Sequence, residues 1–255
     1  MGSPSRLLRG WATTTTRRML KVRRPHVLVA CMPKSASSFL TEAIARLPGM
    51  TRAYLAWGYG WREQTLDVVA LARRDLARYV CQQHLRYSGD VGEFIDEYRL
   101  TPVVLTRNLF DAVASVRDHF RNESTESPMA PLGPAHAKLP DDALEELIAE
   151  MIAPWYVSFF VSWQQVDCLR VTFDQVRETP QDVVKLVCQR AALDVSDEDV
   201  SRAVEAAQAQ RPRYNKGVSG RGGAISPRAR EKIIGLTRHF PEVDFTPIGI
   251  PHARA

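Results

Sequence analysis

The chain alternates between short, wholly apolar runs and longer stretches in which apolar residues recur every three or four positions. The first run, Val27-Leu28-Val29-Ala30-Cys31, has strand length and passes through Met32-Pro33-Lys34-Ser35 into a helical pattern. In that pattern Phe39, Leu40, Ala43, Ile44 and Leu47 fall on one face, and Leu47-Pro48-Gly49 ends it. Further buried strands are predicted over 79–84, 102–106 and 168–173, and helices over 65–78, 91–98, 144–163, 180–192, 197–209 and 227–240. Residues 120–142, punctuated by Pro128, Pro131, Gly133, Pro134 and Pro140, read as a long irregular segment of the kind that often forms a lid. His119 and His136 flank it and are expected at the solvent surface. Unbroken apolar strands separated by helices imply an α/β protein: a three-layer fold with a mainly parallel central sheet flanked by helices.

Length and charge refine this picture. At 255 residues the chain fits one large domain, read here as 26–255 after a basic extension over 1–25. That extension holds seven of the 34 basic residues and none of the 29 acids, leaving 27 bases against 29 acids in the remainder. The net charge of +5 therefore belongs to the extension, and no nucleic-acid-binding domain is implied. Residues 1–25 read as a flexible basic segment, with a transit-like peptide as the alternative. Cys31, Cys81, Cys168 and Cys188 lie in apolar contexts without paired spacing, so reduced thiols in a cytoplasmic protein are expected. No apolar run has the length of a membrane span.

The chemistry concentrates where the first strand meets the first helix. Free N–H groups at a helix start, the positive end of its dipole, Lys34 and the hydroxyls of Ser35, Ser37 and Ser38 together suit a phosphate. The loop lacks the Gly-Lys-Ser/Thr arrangement of a Walker A motif, and no G-x-G-x-x-G follows a predicted strand. Farther on, Tyr54-Leu55-Ala56-Trp57-Gly58-Tyr59-Gly60-Trp61 sets aromatic rings on a glycine-hinged loop, a suitable surface for a sugar or an aromatic acceptor. Packing of the loop by the same rings is the equally weighted alternative.

Pro33-Lys34-Ser35-Ala36-Ser37-Ser38-Phe39-Leu40 resembles the 5′-phosphosulfate loop of sulfotransferases that use 3′-phosphoadenosine 5′-phosphosulfate (PAPS), usually Pro-Lys-Ser-Gly-Thr-Thr-Trp-Leu. Arg107-Asn108-Leu109-Phe110-Asp111 with Ser115 resembles that family's 3′-phosphate motif, with the same eight-residue spacing from Arg to Ser. Phe173-Asp174-Gln175-Val176 through Pro180 resembles its Tyr-Glu-Asp-Leu element, and Asn215-Lys216-Gly217 through Gly220 its Arg-Lys-Gly-x-x-Gly loop. The four elements occur in family order and cover most of the chain after residue 25.

The resemblance implies a PAPS-dependent sulfotransferase, moving a sulfuryl group in line to a hydroxyl or amine of a small-molecule or carbohydrate acceptor. It implies that Lys34, Ser35, Ala36, Ser37 and Ser38 hold the 5′ end. Arg107, Ser115, Asn215, Lys216 and Gly217 would hold the 3′-phosphate, with Arg213 or Arg221 replacing the charge missing at Asn215. Phe39 and Phe173 would lie against the adenosine, and Trp57, Tyr59 and Trp61 would take the acceptor. His84, 23 residues before Arg107, inherits the role of general base, and Glu63 is its rival. Gln82 stands where the family carries a lysine. No metal is expected, because a sulfuryl group carries less charge than a phosphoryl group. The alternatives are a P-loop kinase-like enzyme and a catalytically inactive protein that binds the product nucleotide, 3′-phosphoadenosine 5′-phosphate (PAP).

Overall fold

In the computed structural model, five parallel strands form one sheet in the order β2-β3-β1-β4-β5. The residues described are 25–56, 64–75, 77–125, 127, 129–210 and 219–251. Strand β1 (His26–Cys31) lies at the centre and is buried along its whole length. β3 (Tyr79–Gln83) flanks it on one side and β4 (Leu100–Thr106) on the other. The outer strands are β2 (Thr51–Ala53) and β5 (Leu169–Thr172).

Alternation along β1 divides the interior into two apolar clusters. Leu28, Ala30 and Met32 belong to one, with α4 (Leu109–Asn122), α5 (Asp141–Met151), α6 (Ala153–Ser162) and α10 (Pro227–Thr237). Val27, Val29 and Cys31 belong to the other, with α1 (Ser37–Ala45), α8 (Pro180–Arg190) and α9 (Asp197–Ala209). Helices cover both faces, as the unbroken apolar strands predicted. The remaining helices are α2 (Val68–Arg74), α3 (Gly89–Tyr98) and α7 (Phe173–Glu178).

Local chemistry moves several predicted boundaries. α2 starts at Val68 rather than near 65 because the Asp67 carboxylate accepts the N–H groups of Val69 at 2.9 Å and Ala70 at 3.3 Å. The helix predicted over 144–163 divides into α5 and α6, with Pro154 in the first turn of the second. The segment predicted as irregular is shorter than expected, since α4 extends to Asn122, a 3-10 turn spans His136–Lys138 and α5 begins at Asp141. Arg121 ties it down by donating to the carbonyl oxygens of Ala137 and Leu139 and to Asp141. Buried Glu145 joins three helices: one oxygen accepts Arg117 at 2.5 Å and the other accepts the Ser226 N–H, just before α10, at 2.7 Å. The four cysteines are free thiols.

Chain order reverses at β1: the chain visits β2 and β3 on one side before crossing to β4 and β5 on the other. In open α/β sheets, such a reversal leaves a crevice at the carboxyl ends of the strands. The loop carrying Lys34, the residue after β3 (His84) and the residue after β4 (Arg107) all lie at that edge.

Candidate active site

The loop between β1 and α1 is held from three directions. The Met32 N–H donates to Leu105 of β4 at 3.0 Å, and the Tyr156 hydroxyl on α6 donates to the Pro33 carbonyl at 3.1 Å. The Arg107 guanidinium donates to the Lys34 carbonyl at 2.7 Å. Two residues take left-handed backbone angles, Lys34 at φ 64° and Ala36 at φ 68°. Glycine usually fills the Ala36 position in the resembling loop, and this geometry explains the preference. A left-handed alanine costs about 1–2 kcal/mol. Ala36→Gly is therefore expected to raise the thermal midpoint by the equivalent of up to about 1 kcal/mol, the extra entropy of an unfolded glycine offsetting the rest. Differential scanning calorimetry checks this, and an unchanged or lower midpoint would refute the strain.

Ala36 also leaves α1 without a side-chain cap, although its carbonyl accepts the Phe39 N–H at 3.1 Å and the Leu40 N–H at 3.2 Å. An anion was expected here from the sequence, and an uncapped helix start suits one. Ser35 takes part less directly than expected. Its hydroxyl donates to the Met32 carbonyl at 2.5 Å, which commits its one proton inside the loop. Ser37 is buried, while exposed Ser38 donates to Gln82 Oε1 at 3.3 Å. Gln82 thus contacts the loop without supplying the family's positive charge.

Lys34 is half-buried, its side chain 22 % exposed, with Nζ 3.8 Å from Glu123 Oε2. Burial lowers its proton affinity, Glu123 pulls it back up, and Arg107 lowers it further. Arg107 itself is 5 % exposed, and its guanidinium covers the Phe173 ring at 4.0 Å. Burial weakens its hold on the proton, and Asp111 opposes that.

His84 is buried at the end of β3, and its Nδ1 lies 3.0 Å from the Cys31 carbonyl at the end of β1. A proton on Nδ1 makes that bond and puts the ring's lone pair on Nε2, the tautomer a general base needs. Cys31 Sγ lies 3.4 Å from the same nitrogen. Ser115 is buried on α4.

The two aromatics expected against the adenosine are both buried. Phe39 is 5 % exposed and packs in the α1 cluster. Phe173 is 4 % exposed and faces the Arg107 guanidinium, which makes it a brace for the arginine. The solvent position expected for His119 is also corrected: its side chain is 23 % exposed and its Nδ1 is 2.9 Å from Glu123. His136 accepts the Gly133 N–H at 3.0 Å. Trp57, Tyr59, Trp61, Glu63, Arg213, Asn215, Lys216, Gly217 and the extension over 1–24 lie outside the described residues.

Sequence reasoning missed Tyr156, concealed in a largely apolar helix, and gave Asp111 no role of its own. The buried Asp111 carboxylate accepts the N–H groups of Gly220 at 2.9 Å and Gly222 at 2.5 Å, docking residues 219–224 on α4. Ser219 donates to Asp174, and Arg221 pairs with Asp118. At Gly222 an added Cβ would lie 2.4 Å from Phe110 Cβ and 2.7 Å from the Asp111 nitrogen. Gly222→Ala must push backbone apart, at a cost of about 1–3 kcal/mol. A drop of several degrees in the thermal midpoint is the expected result, and a native midpoint would contradict this packing.

A parallel sheet whose central strand delivers a lysine-bearing loop, met there by an arginine from the neighbouring strand, defines a protein of the sulfotransferase fold. Among solved structures, the mouse sulfotransferase SULT7A1, crystallised in complex with PAP, superposes over 88 % of this chain and 86 % of its own. The TM-score is 0.62 at 16 % sequence identity. A sulfotransferase from Alicyclobacillus acidocaldarius aligns over 92 % of this chain and 98 % of its own, with 14 % identity and a TM-score of 0.49. No protein-family model and no curated protein matches the sequence, so the likeness is one of fold. Among the described residues, no helix is long and apolar enough to cross a membrane, and no group of three His, Cys, Asp or Glu side chains could hold a metal ion.

Proposed function

We propose that the protein is a PAPS-dependent sulfotransferase acting on a hydroxyl or amine of a small-molecule or carbohydrate acceptor. The observation that carries this reading is the 2.7 Å bond from Arg107 to the Lys34 carbonyl. It joins two anion-binding elements, 73 residues apart, at one strand edge. Such a pair suits a ligand with a phosphate at each end of a nucleoside. The uncapped α1 start and Lys34 fit the 5′ end. Arg107, Ser115 and Lys216 fit the ribose phosphate.

PAPS supplies the sulfuryl group, and its 5′-phosphate leaves with the electron pair of the broken S–O bond. Transfer of this kind is expected to pass through a loose transition state, so charge and position matter most. Lys34 and the loop N–H groups would stabilise charge gathering on the leaving oxygen. His84, through Nε2, would take the acceptor's proton. The acceptor would rest on Trp57, Tyr59 and Trp61. Free, mostly buried thiols support action in a reducing compartment such as the cytoplasm.

Titration calorimetry with PAP against ATP tests the donor class, and transfer of radiolabelled sulfate across an acceptor panel tests the chemistry. Submicromolar PAP with weak ATP binding supports the reading, whereas preference for ATP would favour a kinase-like enzyme. Gln82, in the place of a lysine, gives one specific reason to consider a PAP-binding protein without turnover. PAP binding with no transfer across a broad panel would favour that reading.

A further inference from the structure

At the end of α4 remote from Arg107, one carboxylate oxygen serves two nitrogens. Glu123 Oε2 lies 2.9 Å from His119 Nδ1 and 3.8 Å from Lys34 Nζ. A histidine one turn before a glutamate is usually a surface pair of small energetic consequence. This pair differs because it meets the lysine of the phosphate loop and because less than a quarter of the histidine and lysine side chains is exposed. Among the described residues, Lys34 from the loop and Glu123 from α4 are the charged groups that act on His119. Burial lowers its proton affinity most, the Lys34 ammonium lowers it further, and Glu123 opposes both.

An anion arriving at Lys34 changes this balance. It neutralises the ammonium that repels a proton from His119 and adds negative charge nearby, while the Glu123 carboxylate stays in place. Building on the sulfotransferase reading, we propose that His119, positioned by Glu123, takes up a proton as the nucleotide binds and serves as a second cation beside Lys34 on the leaving-group side. During transfer the bond from acceptor oxygen to sulfur forms and the bond from sulfur to the 5′-phosphate oxygen breaks, its electron pair remaining on the phosphate. The acceptor's proton goes to the base at the end of β3. The imidazolium keeps its own proton and lowers the cost of the charge that departs. His84 and His119 thus carry opposite requirements, one neutral and one protonated.

The test is titration calorimetry of PAP into the full chain in two buffers of different ionisation enthalpy, which counts protons taken up on binding. Net uptake by the native protein, reduced in both His119→Gln and Glu123→Gln, is the expected result. Equal uptake by native protein and His119→Gln would overturn the inference while leaving the sulfotransferase reading intact. Failure of the native protein to bind PAP would overturn both. The pH profile of kcat gives a second readout. A required imidazolium makes kcat fall as pH rises through its pKa in the donor complex. His119→Gln should lower kcat and remove that alkaline limb. Glu123→Gln should move the limb to lower pH, because the charge that holds the proton is gone. An alkaline limb unchanged in both variants would also overturn the inference.

Discussion

Arg107→Ala is expected to weaken PAP binding by about 30-fold to several thousand-fold, the range set by the 2–5 kcal/mol cost of removing one member of a buried charged pair. Arg107 is 5 % exposed, stacked on Phe173 and bonded to the Lys34 carbonyl, so its loss removes both the charge and a support of the loop. Arg107→Lys separates charge from shape. It keeps the charge but loses the planar fork and the stacked contact, so an intermediate loss is expected. Calorimetric titration of PAP measures both variants. An unchanged Kd in Arg107→Ala would remove the residue from phosphate binding, and a thermal scan shows whether the loop itself has loosened.

His84→Ala is expected to lower kcat by about 10²–10⁴-fold while PAP binding stays near native, as the proposed role of general base requires. The 3.0 Å contact of Nδ1 with the Cys31 carbonyl sets the tautomer, so a residual pH dependence should lose its acidic limb along with the ring. Single-turnover sulfate transfer is the measurement. Retained turnover in His84→Ala together with loss in Glu63→Gln would assign the base to the glutamate instead.

The central sheet and its helices were legible because β1, β3 and β4 are buried on both faces and therefore spell unbroken apolar runs. β2 escaped notice: it has three residues, lies at the sheet edge and begins with exposed Thr51. Pro102 sits inside β4 against the usual rule, but β5 pairs only from Val103 onward, which leaves the proline at the margin of that pairing. The loop between β1 and α1 was legible from its composition, whereas the left-handed backbone at Ala36 emerged only from the structure. What sequence could not convey was which way an aromatic faces. Phe39 and Phe173 occupy positions where a ring could meet a nucleoside, and the fold buries both, Phe39 in the α1 cluster and Phe173 under the Arg107 guanidinium. Pairings between distant residues were equally hidden. Nothing in the spacing of Asp111 announces two glycine N–H groups more than a hundred residues away. The His119–Glu123 pair did have a local signal, an interval of four on one helix, though only the fold brings Lys34 to it.

The bond between the Arg107 guanidinium and the Lys34 backbone oxygen has a practical consequence for anyone redesigning donor choice. The contacts that would recognise the ribose phosphate and those that would handle the departing group share one mechanical part. Because the acceptor is a backbone oxygen, Arg107→Ala should disturb the loop that presents Lys34 as well as the phosphate contact, lowering kcat along with PAP affinity. Retuning this protein to accept a nucleotide without a ribose phosphate would require rebuilding the loop that supports the chemistry.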